Sequence, residues 1–280
     1  MNKGISSPRQ LRILNFFAAL MSMSSNKAPG LNGFPVEFFN KFWINFADLF
    51  KDLVTESFGA GALSLEQRRT VIRLIPKPVP DTDRYKFTKY RRPIALLNID
   101  YKIISKTLTL RLLRVIDSLI TAEQLAYPKG RFICEHIRTL SDLIDVYSGS
   151  GHAGYVVFHN FEKAFDSIEW NFLYATLEAM RFPPYFITWA KILNTQMTGA
   201  IIVNSKLTDF FTFSRGCRQG DPLSAYLFIL AMQAFVSSYA SDFAPTSLKL
   251  ADQFIPILLY ADDTVTLHSS IISGRLATLS

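Results

Sequence analysis

Apolar residues recur at helical spacing from the start of the chain. Ile13, Phe16, Phe17 and Leu20 predict one helix across residues 1–25. The run Asn26-Lys27-Ala28-Pro29-Gly30-Leu31-Asn32-Gly33 breaks it with turn-forming residues, and Lys27 makes that turn positive. A second helix is predicted from Pro35, with Phe38, Phe39, Phe42, Phe46, Leu49 and Leu53 on one broad core-facing side. Asp100 to Ile120 reads as amphipathic. Ile103, Ile104, Leu108, Leu112 and Ile116 form its apolar stripe, and Lys102, Lys106, Arg111 and Arg114 are placed to leave it. Further helices are predicted from about Cys134 to Tyr147, Trp170 to Arg181, Pro184 to Leu193 and Ala225 to Tyr239.

Between these lie short runs of β-forming residues. Arg73–Pro78 and Tyr90–Asn98 predict two strands around a charged loop, Val79 to Lys89, which is expected to be mobile. Tyr155–Phe161 predicts another, and Ala200–Asn204 with Phe210–Phe213 predicts a hairpin. Ser148-Gly149-Ser150-Gly151 looks like a flexible joint, dividing residues 1–150 from residues 151–280. Near the end, Ile257–Leu267 reads as a tight hairpin with Asp262 and Asp263 at its tip. Neighbouring carboxylates repel and lose hydration if a sheet carries them inside, and a divalent cation is the usual compensation. Taken alone, such a pair is more often a solvated turn.

Composition sharpens this only a little. Nearly half of the residues are apolar, so a folded protein is expected. A net charge of +7 suits an anionic partner, although many proteins are mildly basic. Two distant cysteines, Cys134 and Cys217, give neither a disulfide framework nor a zinc spacing, so a reduced intracellular setting is expected, nucleus or cytoplasm. The start lacks the order of a signal peptide, and the longest apolar runs, such as Leu14 to Met23, read as interrupted or too short to span a bilayer.

Two basic features could meet phosphate. If the strands at 73–78 and 90–98 pair, Lys77 faces Arg91 and Arg92 and forms a cationic pocket. The alternative is a solvated basic edge that discourages strand addition, and spacing alone favours it. The glycine-bearing loop Arg215–Ser224 opens an apolar helix, an arrangement suited to a nucleotide phosphate.

The order of these signals resembles the reverse transcriptase of non-LTR (LINE-type) retrotransposons. The landmarks are NKAPG at Asn26–Gly30, LIPKP at Leu74–Pro78, RRPIALLN at Arg91–Asn98 and DYKIISK at Asp100–Lys106. Gly130-Arg131, FEKAFDSIEW at Phe161–Trp170, RGCRQGDPLS at Arg215–Ser224 and YADD at Tyr260–Asp263 follow. The resemblance implies an α+β fold, the fingers and palm of a right-handed polymerase, with an antiparallel palm sheet packed on helices and the thumb missing. Residues 1–150 would be the fingers side and 151–280 the palm. It implies RNA-directed DNA polymerisation: a primer 3′-hydroxyl attacks the α-phosphate of a deoxynucleoside triphosphate, with two Mg²⁺ ions as cofactors. The implied partners are an RNA template, a DNA primer and deoxynucleoside triphosphates.

Residue by residue, Asp262 and Asp263 match the catalytic, metal-binding carboxylates of the palm. Phe165 matches the aromatic gate against a ribose 2′-hydroxyl. Gln219 and Gly220 match the loop against the incoming nucleotide, and Lys77 and Arg92 match basic finger residues near the triphosphate, while Arg91 stays open. Asn160 stands where the family carries an aspartate that bridges both metals. An amide oxygen can ligate but brings no charge, and losing that charge costs roughly several kcal/mol of metal attraction at an effective dielectric near 20. Glu162, about 7 Å further along a continuing strand, is too far to replace it. Asn32 for Asp and Ala225 for Pro are smaller departures. Impaired polymerisation is therefore expected. The competing reading is an inactive remnant that at most binds nucleic acid.

Overall fold

The computed structural model describes residues 13–78 and 90–270. The helices are α1 (Ile13–Met21), α2 (Val36–Ala60), α3 (Leu65–Arg68), α4 (Ile99–Leu112), α5 (Ile116–Leu119), α6 (Ile133–Ser150), α7 (Ala164–Ser167), α8 (Trp170–Ala179), α9 (Pro184–Asn194) and α10 (Ser224–Phe243). The strands are β1 (Arg69–Pro76), β2 (Arg91–Leu96), β3 (Tyr155–His159), β4 (Thr198–Val203), β5 (Lys206–Leu207), β6 (Phe211–Thr212), β7 (Leu248–Leu250), β8 (Gln253–Ile255), β9 (Ile257–Tyr260) and β10 (Asp263–His268). The chain forms two compact units, 1–114 with 166–225 and 115–165 with 226–280.

In the first unit, α1 buries Phe16, Ala19 and Leu20, and Phe16 meets Phe50 of α2 edge-on at 5.1 Å between ring centroids. The buried side of α2 is only partly the expected one, with Phe39 shared. It comprises Val36, Phe39, Trp43, Ala47, Phe50 and Val54, at helical spacing, whereas Phe42 and Leu49 are exposed and Phe38, Phe46 and Leu53 only half-buried. So aromatic a helix offers several candidate stripes, and its packing on α1 and α4 selects one. Its end is sharp because Gly61 takes a left-handed conformation.

Helix α4 departs further from expectation. Ile103, Ile104, Leu108 and Leu112 are buried as predicted, but so are Tyr101, Ser105, Thr107 and Thr109. No free basic face results. Arg111 is buried and donates to the Asn15 amide oxygen at 3.4 Å, Lys102 and Lys106 are half-buried, and Arg114 is exposed. The helix also stops at Leu112, and Ile116 begins the separate turn α5.

The strands on either side of residues 79–89, which lie outside the described residues, do pair. β1 and β2 run antiparallel, with Ile75 opposite Arg92 and Pro76 opposite Arg91. β1 also pairs in parallel with β4, a link between distant segments that local pattern does not reveal. β5 and β6 fold back on β4, as the predicted hairpin requires.

In the second unit, β3, β10 and β9 form an antiparallel sheet in that order, with β10 central. Alternation sends successive side chains of β9 to opposite faces. Ile257 and Leu259 pack with Val236 and Tyr239 of α10, while Leu258 and Leu267 pack with Leu143 of α6 and Leu248. The sheet is thus packed on helices, as expected. Ser148, Gly149 and Ser150 complete the last turn of α6, and only Gly151 leaves it, so this stretch is not the predicted flexible joint. Length and composition would let Ser224–Thr246 cross a membrane, contrary to the reading that the longest apolar runs are interrupted or too short. Burial of Leu227, Phe228, Ile229, Leu230, Val236 and Tyr239 explains that apolarity within the fold itself.

Candidate active site

In the second unit the β9–β10 hairpin presents the paired acids. Tyr260 and Asp263 form the last cross-strand pair, leaving Ala261-Asp262 as a two-residue turn. Ala261 has φ 58°. That conformation costs an alanine on the order of 1 kcal/mol or more, so the surroundings must hold it. Asp262 is half-buried and Asp263 is exposed. The predicted loss of hydration therefore applies in part to Asp262 and not to Asp263. Tyr127 senses this charge: burial first, then Asp262, raise its phenol above the ordinary range.

Asn160 follows the end of β3. Antiparallel pairing sets His159 opposite Thr264 and Phe158 opposite Val265. One further step in that register aligns Asn160 with Asp263. The sheet thus brings the Asn160 position to the paired acids. Glu162 is not on a continuing strand. The strand ends at His159, and Glu162 lies exposed in the turn before α7. Phe165, on α7, is half-buried and stacks on Phe228 of α10, with centroids 4.0 Å apart and planes inclined by 14°.

The first unit carries the remaining candidates. Lys77 continues β1, its N–H donating to the Tyr90 carbonyl at 2.8 Å, and it sits across from the start of β2. Lys77 and Arg92 are exposed, and Arg91 is half-buried. The backbone places the three basic residues at one end of the hairpin. The Gln219-Gly220 loop lies against β2. The Ala95 N–H donates to the Gln219 carbonyl at 2.7 Å. Gly220 has φ 114°, and a Cβ there would lie 2.5 Å from the Ala95 carbonyl oxygen, so no other residue fits without moving the loop.

Beneath that loop is a polar network that sequence reasoning did not find. Arg218 donates to the Tyr101 hydroxyl at 2.6 Å, the Leu193 carbonyl at 2.9 Å and the Asn194 amide oxygen at 3.2 Å. Asp221 accepts from Tyr101 at 3.1 Å, from the Leu223 N–H at 3.1 Å, from Ser224 at 3.2 Å and from Ser105. Both side chains are buried. Burial is the main influence on the Tyr101 phenol and pushes it well above the ordinary range. A second unrecognised contact joins two landmark motifs. Gly30 lies so close to Asn98 that a Cβ would come within 2.6 Å of the Asn98 backbone. Asn32 is a neutral departure: its side-chain oxygen accepts from the Phe34 N–H at 3.2 Å, as an aspartate could.

Mg²⁺ requires several hard oxygen ligands and readily takes carboxylates. The hairpin offers two carboxylates and Asn160 a neutral amide. Among the described residues no group of three or more His, Cys, Asp or Glu is placed to hold a metal. The donor set does not fit the two-ion arrangement.

A family model for reverse transcriptase (RNA-dependent DNA polymerase) matches residues 75–277. The chain belongs to this family. This reverse transcriptase domain is 34% identical over 254 residues to the transposon TX1 uncharacterized 149 kDa protein of Xenopus laevis, covering 91% of this chain and 19% of that protein. It is 27% identical over 215 residues to the retrovirus-related Pol polyprotein of the type-1 retrotransposable element R2 of Nasonia vitripennis, covering 76% of this chain and 20% of that protein. The domain thus spans about a fifth of the length of these relatives. These relatives identify it as LINE-type. Among solved structures, apo telomerase from Candida tropicalis, truncated from its C-terminal domain, superposes with a TM-score of 0.54 at 12% identity, covering 83% of this chain and 51% of that one. That likeness bears on fold alone and agrees with a fingers–palm architecture.

Proposed function

We propose that this reverse transcriptase domain descends from an RNA-directed DNA polymerase and that Asn160 impairs its own nucleotidyl transfer. The observation that carries the proposal is the register that aligns Asn160 with Asp263. A position that the sheet delivers to the paired acids lacks the third negative charge. With an amide there, the site holds one charge fewer against a divalent ion and against the proton of an attacking hydroxyl.

Each of the other candidate residues keeps a recognisable task. Lys77 and Arg92 carry exposed positive charge suited to a triphosphate. Gly220 lets its loop pack against the Ala95 carbonyl of β2, which fixes the loop proposed to meet the incoming nucleotide. Phe165 has a fixed ring suited to excluding a 2′-hydroxyl. The substrates are an RNA template, a DNA primer and deoxynucleoside triphosphates. The fingers side is assigned to residues 1–150 and the palm to residues 151–280.

The test is primer extension on a poly-A RNA template with an oligo-dT primer, dTTP and Mg²⁺, using the native chain and Asn160→Asp, both checked for cooperative unfolding. Extension by Asn160→Asp alone is the expected result. Equal extension by both would overturn the assigned cost of Asn160. The shortage of carboxylates also supports a second reading, a nucleic-acid-binding remnant. It predicts salt-sensitive RNA binding with no turnover by either form.

A further inference from the structure

The segment Glu123–Ala126 lies between α5 and α6. It lies along the outer edge of β9. The Leu125 N–H donates to the Leu259 carbonyl at 3.0 Å, and the Leu259 N–H donates to the Glu123 carbonyl at 2.8 Å. The segment thus adds one parallel bridge, Gln124 opposite Leu259, to the hairpin that carries the paired acids. Two side chains fasten it. His136 on α6 bridges the Glu123 and Leu259 carbonyls at 2.8 and 3.1 Å. Arg131 donates to the Gln124 carbonyl at 2.8 Å and to the Ile120 carbonyl at 2.9 Å.

The Gln124 side chain continues this edge past the end of β9. Its amide N–H donates to the Ala261 carbonyl at 3.1 Å, and its amide oxygen accepts the Ala261 N–H at 2.9 Å. The same oxygen accepts the Ala126 N–H at 3.0 Å. Gln124 is 1% exposed, so these bonds form away from water. Ala261 is the residue with the strained φ, and it directly precedes Asp262. The side-chain amide satisfies both backbone groups of Ala261, as a neighbouring strand would.

We infer that Gln124 is a positioning residue, which holds the Ala261-Asp262 turn and so fixes where the two carboxylates stand. The inference rests on the polymerase reading for its catalytic consequence, but not for its structural one. The main-chain pairs at Leu125 and Leu259 do not involve the Gln124 side chain. Replacing that side chain should therefore release the turn while the segment stays attached.

The experiment uses Gln124→Met, which keeps the volume and removes the amide, and Gln124→Glu, which keeps an acceptor and removes the donor. Both are made in the Asn160→Asp chain. Residue-resolved amide exchange is read at Ala261, Leu125 and Leu259. The expected result for Gln124→Met is roughly tenfold faster exchange at Ala261 with Leu125 and Leu259 unchanged. Gln124→Glu should fall between Met and the parent. In primer extension, kcat should drop roughly tenfold with the KM for dTTP unchanged. Unchanged exchange at Ala261, or equal acceleration at all three amides, would overturn the inference. If the Asn160→Asp parent does not extend primers, the polymerase reading fails separately, and exchange at Ala261 still decides the role of Gln124.

Discussion

The Phe165 ring lies nearly parallel to Phe228, 4.0 Å away between centroids. Phe228 is fully buried in α10, so it is a fixed platform and Phe165 is the ring it aims. Loosening the platform should let Phe165 move without deleting it. Phe228→Leu is expected to lower stability by about 1–2 kcal/mol through lost stacking and packing. In the Asn160→Asp background, preference for dTTP over UTP should fall roughly tenfold, because a mobile ring rejects the 2′-hydroxyl less well. Competing incorporation of the two nucleotides measures this. Unchanged preference would show that Phe165 holds its place without Phe228.

The Gly220 backbone supports a prediction about folding. Its φ of 114° and the 2.5 Å approach to the Ala95 carbonyl are two separate penalties for any added Cβ. Gly220→Ala should cost about 2–4 kcal/mol. Urea denaturation should show the loss with the unfolding slope unchanged. A cost under 1 kcal/mol would mean that the loop yields easily and that its contact with β2 is weak.

Much of this was legible in the sequence, for particular reasons. The YADD hairpin and the β1–β2 pairing announce themselves because each joins β-forming runs that lie near one another in sequence. Asn160 could be suspected from its place in a motif, but it is the β3–β10 pairing, between segments about a hundred residues apart, that sets its position beside Asp263. The failures have the opposite cause. Gln124 meets a residue 137 positions away, and β1 meets β4 across more than 120 residues. In α2 and α4 the apolar spacing was visible, but packing partners decided which side is buried. Arg111 looked like a surface charge because its partner, Asn15, lies in another helix.

Alkaline pH offers a test of burial in the first unit. Burial pushes the Cys217 thiol from 9.0 up to about 12, with Arg218 opposing and Asp221 and Asp166 adding. Burial likewise pushes Tyr185 from 10.0 up to about 12. A folded-state pKa above the unfolded value means that the folded chain holds the proton more tightly. This contribution is complete below the unfolded pKa and is lost as pH rises toward the folded pKa. Stability should therefore fall from pH 9.0, more steeply from pH 10.0, and level off near pH 12 for these groups. The slope is about 1.4 kcal/mol per pH unit for each group. Cys217→Ala should remove the first part of the decline and Tyr185→Phe part of the second, as read from urea midpoints at successive pH values.

The Arg218–Asp221 pair predicts an asymmetry between its two halves. Asp221 is satisfied by Tyr101, Ser105, Ser224 and the Leu223 N–H even without Arg218. Arg218 keeps neutral acceptors at Tyr101, Leu193 and Asn194, but Asp221 is the carboxylate beside it, at 3.9 Å. Asp221→Ala thus leaves a buried cation without its counter-charge and also removes the acceptor of the Leu223 N–H just before α10. It should cost about 3–5 kcal/mol. Arg218→Met fills similar volume and leaves Asp221 four donors, so about 1–3 kcal/mol is expected. Thermal and urea unfolding of the two variants should rank them in that order. The reverse order would place the structural weight of the loop on the guanidinium.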